Sequence, residues 1–442
     1  MLTRHAVSAI GLWLLFIAAH LWLGLLNLHG PGNPFGDVTI VYAGWAQQAY
    51  AAGIVVGVDI PWVYPLLAIV PILASVSFGI ELIGATWLTL VMLLNLVALG
   101  FLTRWGRSRS GVIIGWWWLA FLVALGPIAL GRIDAVTVAI AMVGVRLVTT
   151  HPRVAGVVLA CATWVKVWPA ALILAAFIAL RERWAVAIAA AGTTATVVVF
   201  ALLAGSGGNV FSFVAEQTGR GIQIESPVAG IWLWQIVAKV PDSFVYYDSS
   251  ILTFQVAGPG VDAVAAIMTP LLALVVLAIA ALGIRAARTT ARHGGSALPV
   301  LAPLSLALVL ALIVVNKVGS PQFVSWLAVP VVLGLLSSTM HSSSSSSSSS
   351  PVSDGIRAHR SFRMPATLSI AIAVLTQLVY PFFYDRLLFA DPLVVAIVSA
   401  RNLLVVTLLV WAIVELVRLG RPAFKLPHAT PSTESPMEKE SA

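Results

Sequence analysis

A chain of 442 residues that is 60% hydrophobic and 10% charged, with a mean hydropathy of +0.99, is too apolar for a water-soluble globule. Its net charge of +8 does not signal nucleic acid, because the 25 Lys and Arg stand singly or in small groups between apolar runs, as membrane loop anchors do. The single cysteine, Cys161, excludes an intrachain disulfide and a cysteine-based metal cluster.

The first apolar run, 6–26, follows a basic start and has the length that spans a bilayer, without a small-x-small cleavage site, so it is predicted to be an uncleaved first helix. A first outer loop is expected over 27–80. Within it an amphipathic helix is predicted near 38–52. The segment 62–79 is read as an interfacial or re-entrant element, with Trp62 and Tyr64 at headgroup depth and Pro61, Pro65 and Pro71 interrupting it. Spanning runs follow at 81–103, 111–130 and 133–150. The run 154–181 contains "WVKVWP", where a lysine and a proline break one helix into two short ones meeting near Lys166 to Pro169. After a run at 184–204 comes a second outer loop, 205–260, and then runs at 261–284, 297–315, 321–339, 365–383 and 392–417.

These segments predict an all-α polytopic membrane protein with about twelve membrane elements. The domain reading is a bundle over 1–340, a flexible Ser-rich linker over 341–364, a two-helix appendage over 365–420 and a disordered tail over 421–442. With both termini on one side, 18 of the 25 cations fall on that side, which the positive-inside rule makes cytoplasmic. The two long loops then lie on the opposite, extracytoplasmic face. No internal repeat is evident.

Six charged residues could carry chemistry. Asp37, in "NPFGDVTIVY", is either the cap of the helix starting near Val38 or a general base facing a substrate hydroxyl. Asp59, just before "IPWVYP", has the same two readings, a turn residue or an alternative base. Asp134 in "GRID" suits a helix cap paired with its neighbour Arg132. Lys166, between two apolar half-helices, either snorkels or faces an anion in a polar cavity. Arg220 in "TGRGIQIES" is flanked by glycines and offers a fork for phosphate, or else pairs with Glu225. Lys317 in "VNKVGSPQF", ahead of a helix start at Ser320, Pro321 and Gln322, suits an anion site or an interfacial anchor. Tyr42 and Tyr64 stand beside the first-loop acids and, with Asp134, Glu225 and Gln322, complete the substrate-contacting candidates. No D-x-D, H-E-x-x-H or clustered-histidine pattern supports a metal, and no P-loop or dinucleotide fingerprint supports a nucleotide, so no cofactor is expected.

The stretches "GDVTIVYAGW", "WVYPLLA", "KVWP", "GRGIQIES" and "NKVGSPQF", in this order between these runs, resemble actinobacterial glycosyltransferases of the GT-C class, family 87, over roughly residues 5–340. Such enzymes are similar to polyprenyl-phosphate-mannose-dependent mannosyltransferases of the cell envelope. The resemblance implies a GT-C-type bundle that inverts the anomeric centre on the outer face of the cytoplasmic membrane. It implies Asp37 as base, with Lys166, Arg220 and Lys317 on the donor phosphate. The partners so implied are a polyprenyl-phosphate sugar, a glycolipid or glycan acceptor and the bilayer. The single proline of "WVYPLLA" and the acid of "GRID" depart from the family pattern. A transporter or flippase of lipid-linked sugars is the competing reading. It would require inverted repeats, which the sequence does not display.

Overall fold

The computed structural model of the chain describes residues 4–217, 219–249, 251–292, 297–344 and 362–421. In chain order its helices are α1 (Arg4–His29), α2 (Ala43–Ala52), α3 (Ile69–Ser75), α4 (Ile83–Thr103), α5 (Arg109–Leu125), α6 (Ile133–Leu147), α7 (Pro152–Val165), α8 (Ala170–Ala179), α9 (Arg183–Leu203), α10 (Ser212–Ala215) and α11 (Gly230–Val237). A hairpin of β1 (Phe244–Asp248) and β2 (Thr253–Ala257) precedes α12 (Val261–Arg292), α13 (Leu298–Val314), α14 (Ala328–Ser344), α15 (Arg363–Gln377), α16 (Tyr384–Leu388) and α17 (Pro392–Leu419).

Among the described residues eight segments are long and apolar enough to cross a membrane, and five shorter apolar helices accompany them, against the twelve or so expected. The runs at 133–150 and 297–315 form only the 15-residue α6 and the 17-residue α13. The protein is a multi-pass membrane protein. Leu14, Leu21, Ile188, Phe200, Leu203, Leu274 and Leu277 are exposed on the long helices, as side chains that meet lipid should be. Conversely, α13 is apolar on every side and nearly every residue from Val300 to Ala311 is buried, so it is the central post of the bundle.

Local chemistry explains several boundaries. Ser108 Oγ accepts the Gly111 N–H at 3.1 Å to start α5, and Asp391 accepts the N–H groups of Leu393 and Val394 ahead of Pro392 to start α17. The predicted break in the 154–181 run separates α7 from α8. Lys166 lies extended at φ −154°, ψ 138° where α7 ends, and Pro169 stands immediately ahead of α8.

One expectation is corrected. Helices α15 and α17 are not an appendage: α15 packs on α5, and α17 packs on α13 and α12. Phe362, Ile372, Leu408, Ala412 and Leu416 join the main core, the last three at a spacing of four residues that places them on one face of α17. The all-α expectation holds, with one small antiparallel hairpin among the described residues, in which Phe244 faces Ala257 and Asp248 faces Thr253. The serine run from 345 and the tail from 422 lie outside the described residues.

In the first loop, the predicted helix near 38–52 is a π-helical turn, Asp37–Tyr42, running into α2. The 62–79 element is a 3-10 turn followed by α3. Trp62, expected at headgroup depth, is instead buried edge-on against Trp45 and Tyr64.

Candidate active site

The loops at one end of the bundle bring most of the predicted residues together. Gly36 stands ahead of the turn that Asp37 opens, and no side chain caps it, so the Asp37 carboxylate is not used as a cap. It pairs instead with Arg132, Oδ2 to Nε at 3.0 Å. The Arg132 side chain is 7% exposed and that of Asp37 is 35% exposed. The remaining Arg132 nitrogens donate to Pro34 O at 2.6 Å, Gly131 O at 2.8 Å and Tyr380 Oη at 2.8 Å. Burial opposes the Arg132 charge, but Asp37 together with the Tyr380 and Tyr42 hydroxyls outweighs it and raises the guanidinium pKa above its ordinary value. Among the described residues, nothing donates to Oδ1 of Asp37.

Asp134 does not pair with Arg132, as its position two residues away had suggested. In the first turn of α6 it points the other way. Its Oδ2 accepts from Lys166 Nζ at 2.8 Å and its Oδ1 from Trp326 Nε1 at 2.6 Å, with the residue 1% exposed. Lys166 can reach it because the break after α7 frees the chain there. The ammonium also lies 5.2 Å from the Tyr64 ring centre and 5.4 Å from that of Phe323. Trp326 is fixed in turn: it stacks on Trp168 at 5.6 Å and on Phe323 at 4.2 Å, and Trp168 donates to Thr137 Oγ1 at 3.0 Å. Lys166 is therefore held by an acid and two rings, and does not snorkel.

The two corners are joined by tyrosines. Tyr42 Oη accepts the Ile133 N–H at 3.1 Å, and Trp45 links the two tyrosines, stacked on Tyr42 and edge-on to Tyr64. Burial pushes both phenols up, so they stay protonated as donors. Arg220, half-buried, donates Nε to Glu216 O at 3.2 Å and lies within electrostatic reach of Tyr64 and Lys317. Burial lowers its pKa and that of the buried Lys317, the latter also through the charge of Arg220. Gln322 is buried in the 3-10 turn Pro321–Leu327 beside them, and Ser320 Oγ donates to its Oε1.

Two predicted residues are placed elsewhere. Glu225 does not pair with Arg220; its Oε2 accepts from Arg401 Nη1 of α17 at 2.7 Å. Asp59 Oδ2 accepts the Val55 N–H at 2.6 Å and closes an exposed turn. Sequence reasoning missed Arg132 as a member of the site, although it lay next to Asp134 in "GRID". It also missed Trp326, Tyr380 and Arg401. An unpaired arginine inside the apolar run of α17 was the one available signal for Arg401.

The arrangement sets four cations, Arg132, Lys166, Arg220 and Lys317, against two carboxylates, Asp37 and Asp134, a balance of +2. Such a balance suits an anion, and the Asp37 carboxylate keeps one oxygen open. No curated protein and no solved structure matches the chain. A family model described as glycosyltransferase family 87 matches residues 62–314, a span that holds Tyr64, Arg132, Asp134, Lys166, Arg220 and Glu225. That span is more than half of the chain, and the protein belongs to glycosyltransferase family 87.

Proposed function

We propose that this membrane glycosyltransferase moves a sugar, mannose by resemblance, from a polyprenyl-phosphate donor to a hydroxyl of a cell-envelope glycolipid or glycan. Transfer takes place on the extracytoplasmic face of the cytoplasmic membrane, with inversion at the anomeric carbon. The observation that carries this reading is the Asp37 carboxylate, held through one oxygen by Arg132 and open at the other, beside a cluster of cations.

In the reaction, Asp37 Oδ1 takes the proton of the acceptor hydroxyl as that oxygen bonds to the anomeric carbon. The bond from that carbon to the phosphate oxygen breaks, and the donor, a diester with one negative charge, leaves as a polyprenyl phosphate monoester with two. The charge that Lys166, Arg220 and Lys317 must meet thus grows along the reaction, so their contacts strengthen in the transition state. Arg132, itself bonded to Tyr380 Oη, holds Asp37 without taking its free oxygen. The Tyr42 and Tyr64 hydroxyls and the surrounding rings keep the pocket poor in water, which limits hydrolysis of the donor.

The test uses purified protein in lipid vesicles with polyprenyl-phosphate-mannose and a candidate acceptor glycolipid, reading release of polyprenyl phosphate. Asp37→Asn keeps the shape and is expected to lower kcat by roughly 10²–10⁴-fold with donor binding retained. Near-normal turnover in that variant would overturn the assignment of the base. Donor that changes leaflet without releasing polyprenyl phosphate would favour a flippase instead.

A further inference from the structure

Arg401 lies well inside α17, a helix of spanning length, where an unpaired guanidinium would be costly. It is 4% exposed and fully engaged. Nη1 donates to Glu225 Oε2 at 2.7 Å, Nη2 to the Glu225 carbonyl at 2.9 Å and to Asn402 Oδ1 at 3.0 Å, and Nε to Asn402 Oδ1 at 3.1 Å. The partner is a residue of the long loop after α9, 176 positions earlier in the chain. That loop therefore descends into the bundle at Glu225, which is itself 3% exposed.

The segment around Glu225 is tied to the Lys317 backbone on one side and to the hairpin on the other. Gln223 N–H donates to Lys317 O at 2.9 Å, and Ile224 N–H donates to Phe254 O at 3.1 Å. Val256 N–H donates to Ile222 O at 3.0 Å, which adds the segment to the hairpin. Gly319 packs directly on the backbone of Glu225 and Ser226, too close for any side chain. Arg220 opens this same segment. A small cavity shared by Glu225, Arg401, Asn402, Gly319, Ser320 and Phe323 completes the connection, since Phe323 is one of the two rings against Lys166.

We infer that Arg401 is a positioning residue of the donor site: its grip on Glu225 sets where Arg220 and Lys317 stand relative to Lys166. Arg401 touches neither donor nor acceptor. Both it and Lys317 lie beyond the residues that the family match covers, so this makes the C-terminal helix part of the working enzyme. The inference rests on the donor reading of Lys166, Arg220 and Lys317.

The experiment compares wild type, Arg401→Lys, and the double variant Arg401→Met with Glu225→Met, in the full chain in vesicles. Three quantities are read: thermal midpoint, binding of polyprenyl phosphate, and donor KM against kcat. Arg401→Lys keeps the charge but cannot make the forked contact, and donor KM is expected to rise on the order of tenfold or more, with kcat less affected. A buried ion pair replaced by two apolar side chains often regains stability. The double variant should therefore recover the thermal midpoint while its donor KM and polyprenyl phosphate binding stay impaired. Recovery of both together, or an unchanged donor KM in Arg401→Lys, would show the pair to be only structural and overturn the inference. If wild type fails to bind polyprenyl phosphate, the donor reading falls, and this inference with it.

Discussion

The site contains two acid–cation corners that look alike in composition and differ in finish. At one, Asp134 is wholly buried and both its oxygens are taken, by Lys166 and by Trp326. At the other, Asp37 is 35% exposed and gives one oxygen to Arg132. A carboxylate with both oxygens bonded to donors serves to hold them in place; one with an open oxygen still has room for a substrate hydroxyl. On the proposed function, the first corner fixes charge and the second does the acid–base work.

The strongest way to break this contrast is to compare Asp37→Asn with Asp134→Asn. The first should lose turnover by the factor given above and lower the thermal midpoint less than the second, because Asp37 is partly exposed and Arg132 keeps its three neutral acceptors. The second leaves a buried Lys166 without its counter-charge, an arrangement that costs about 3–5 kcal/mol, so it should lower the midpoint and weaken donor binding together. A fall in kcat alone for Asp134→Asn, with stability intact, would reverse the two assignments.

A smaller effect sharpens the role of the second loop. Burial, and then Arg220, lower the Lys317 pKa from its ordinary value, so its ammonium is lost at a lower pH than that of a free lysine. Since donor binding needs the charged form, kcat/KM for donor should decline on the alkaline side before an ordinary lysine would titrate. Lys317→Arg keeps the charge and should move that limb upward. An alkaline limb that does not shift in this variant would assign it to another group. The smallest effect is expected at Asp59, whose side chain closes only an exposed turn. Asp59→Ala should cost about 0.5–1.5 kcal/mol of stability and leave turnover within about twofold, judged by the loss of one hydrogen bond.

What the sequence made legible was the cost of polar groups in apolar surroundings. A lysine and a proline inside a spanning run announced the break between α7 and α8, and an acid after an apolar first segment announced Asp37. Partner choice was not legible. Arg132 sits two residues from Asp134 and 95 from Asp37, yet it pairs with the distant one, because the start of α6 turns the two neighbours to different sides. Trp326 and Tyr380 read as ordinary apolar residues, and only the packed bundle reveals that each donates or accepts at a charged centre. The hairpin went unread because its two five-residue strands are short stretches within a long loop.

The contact between Glu225 and Arg401 also bears on biosynthesis. A chain is made from its N-terminus, so the loop holding Glu225 is complete well before residue 401 leaves the ribosome. Until the last long helix enters the membrane, that glutamate has no counter-ion with which to settle into the bundle. A nascent chain lacking α17 would carry Asp37 and Arg132 in place while the loop at Glu225 still lacked the contact that fixes it.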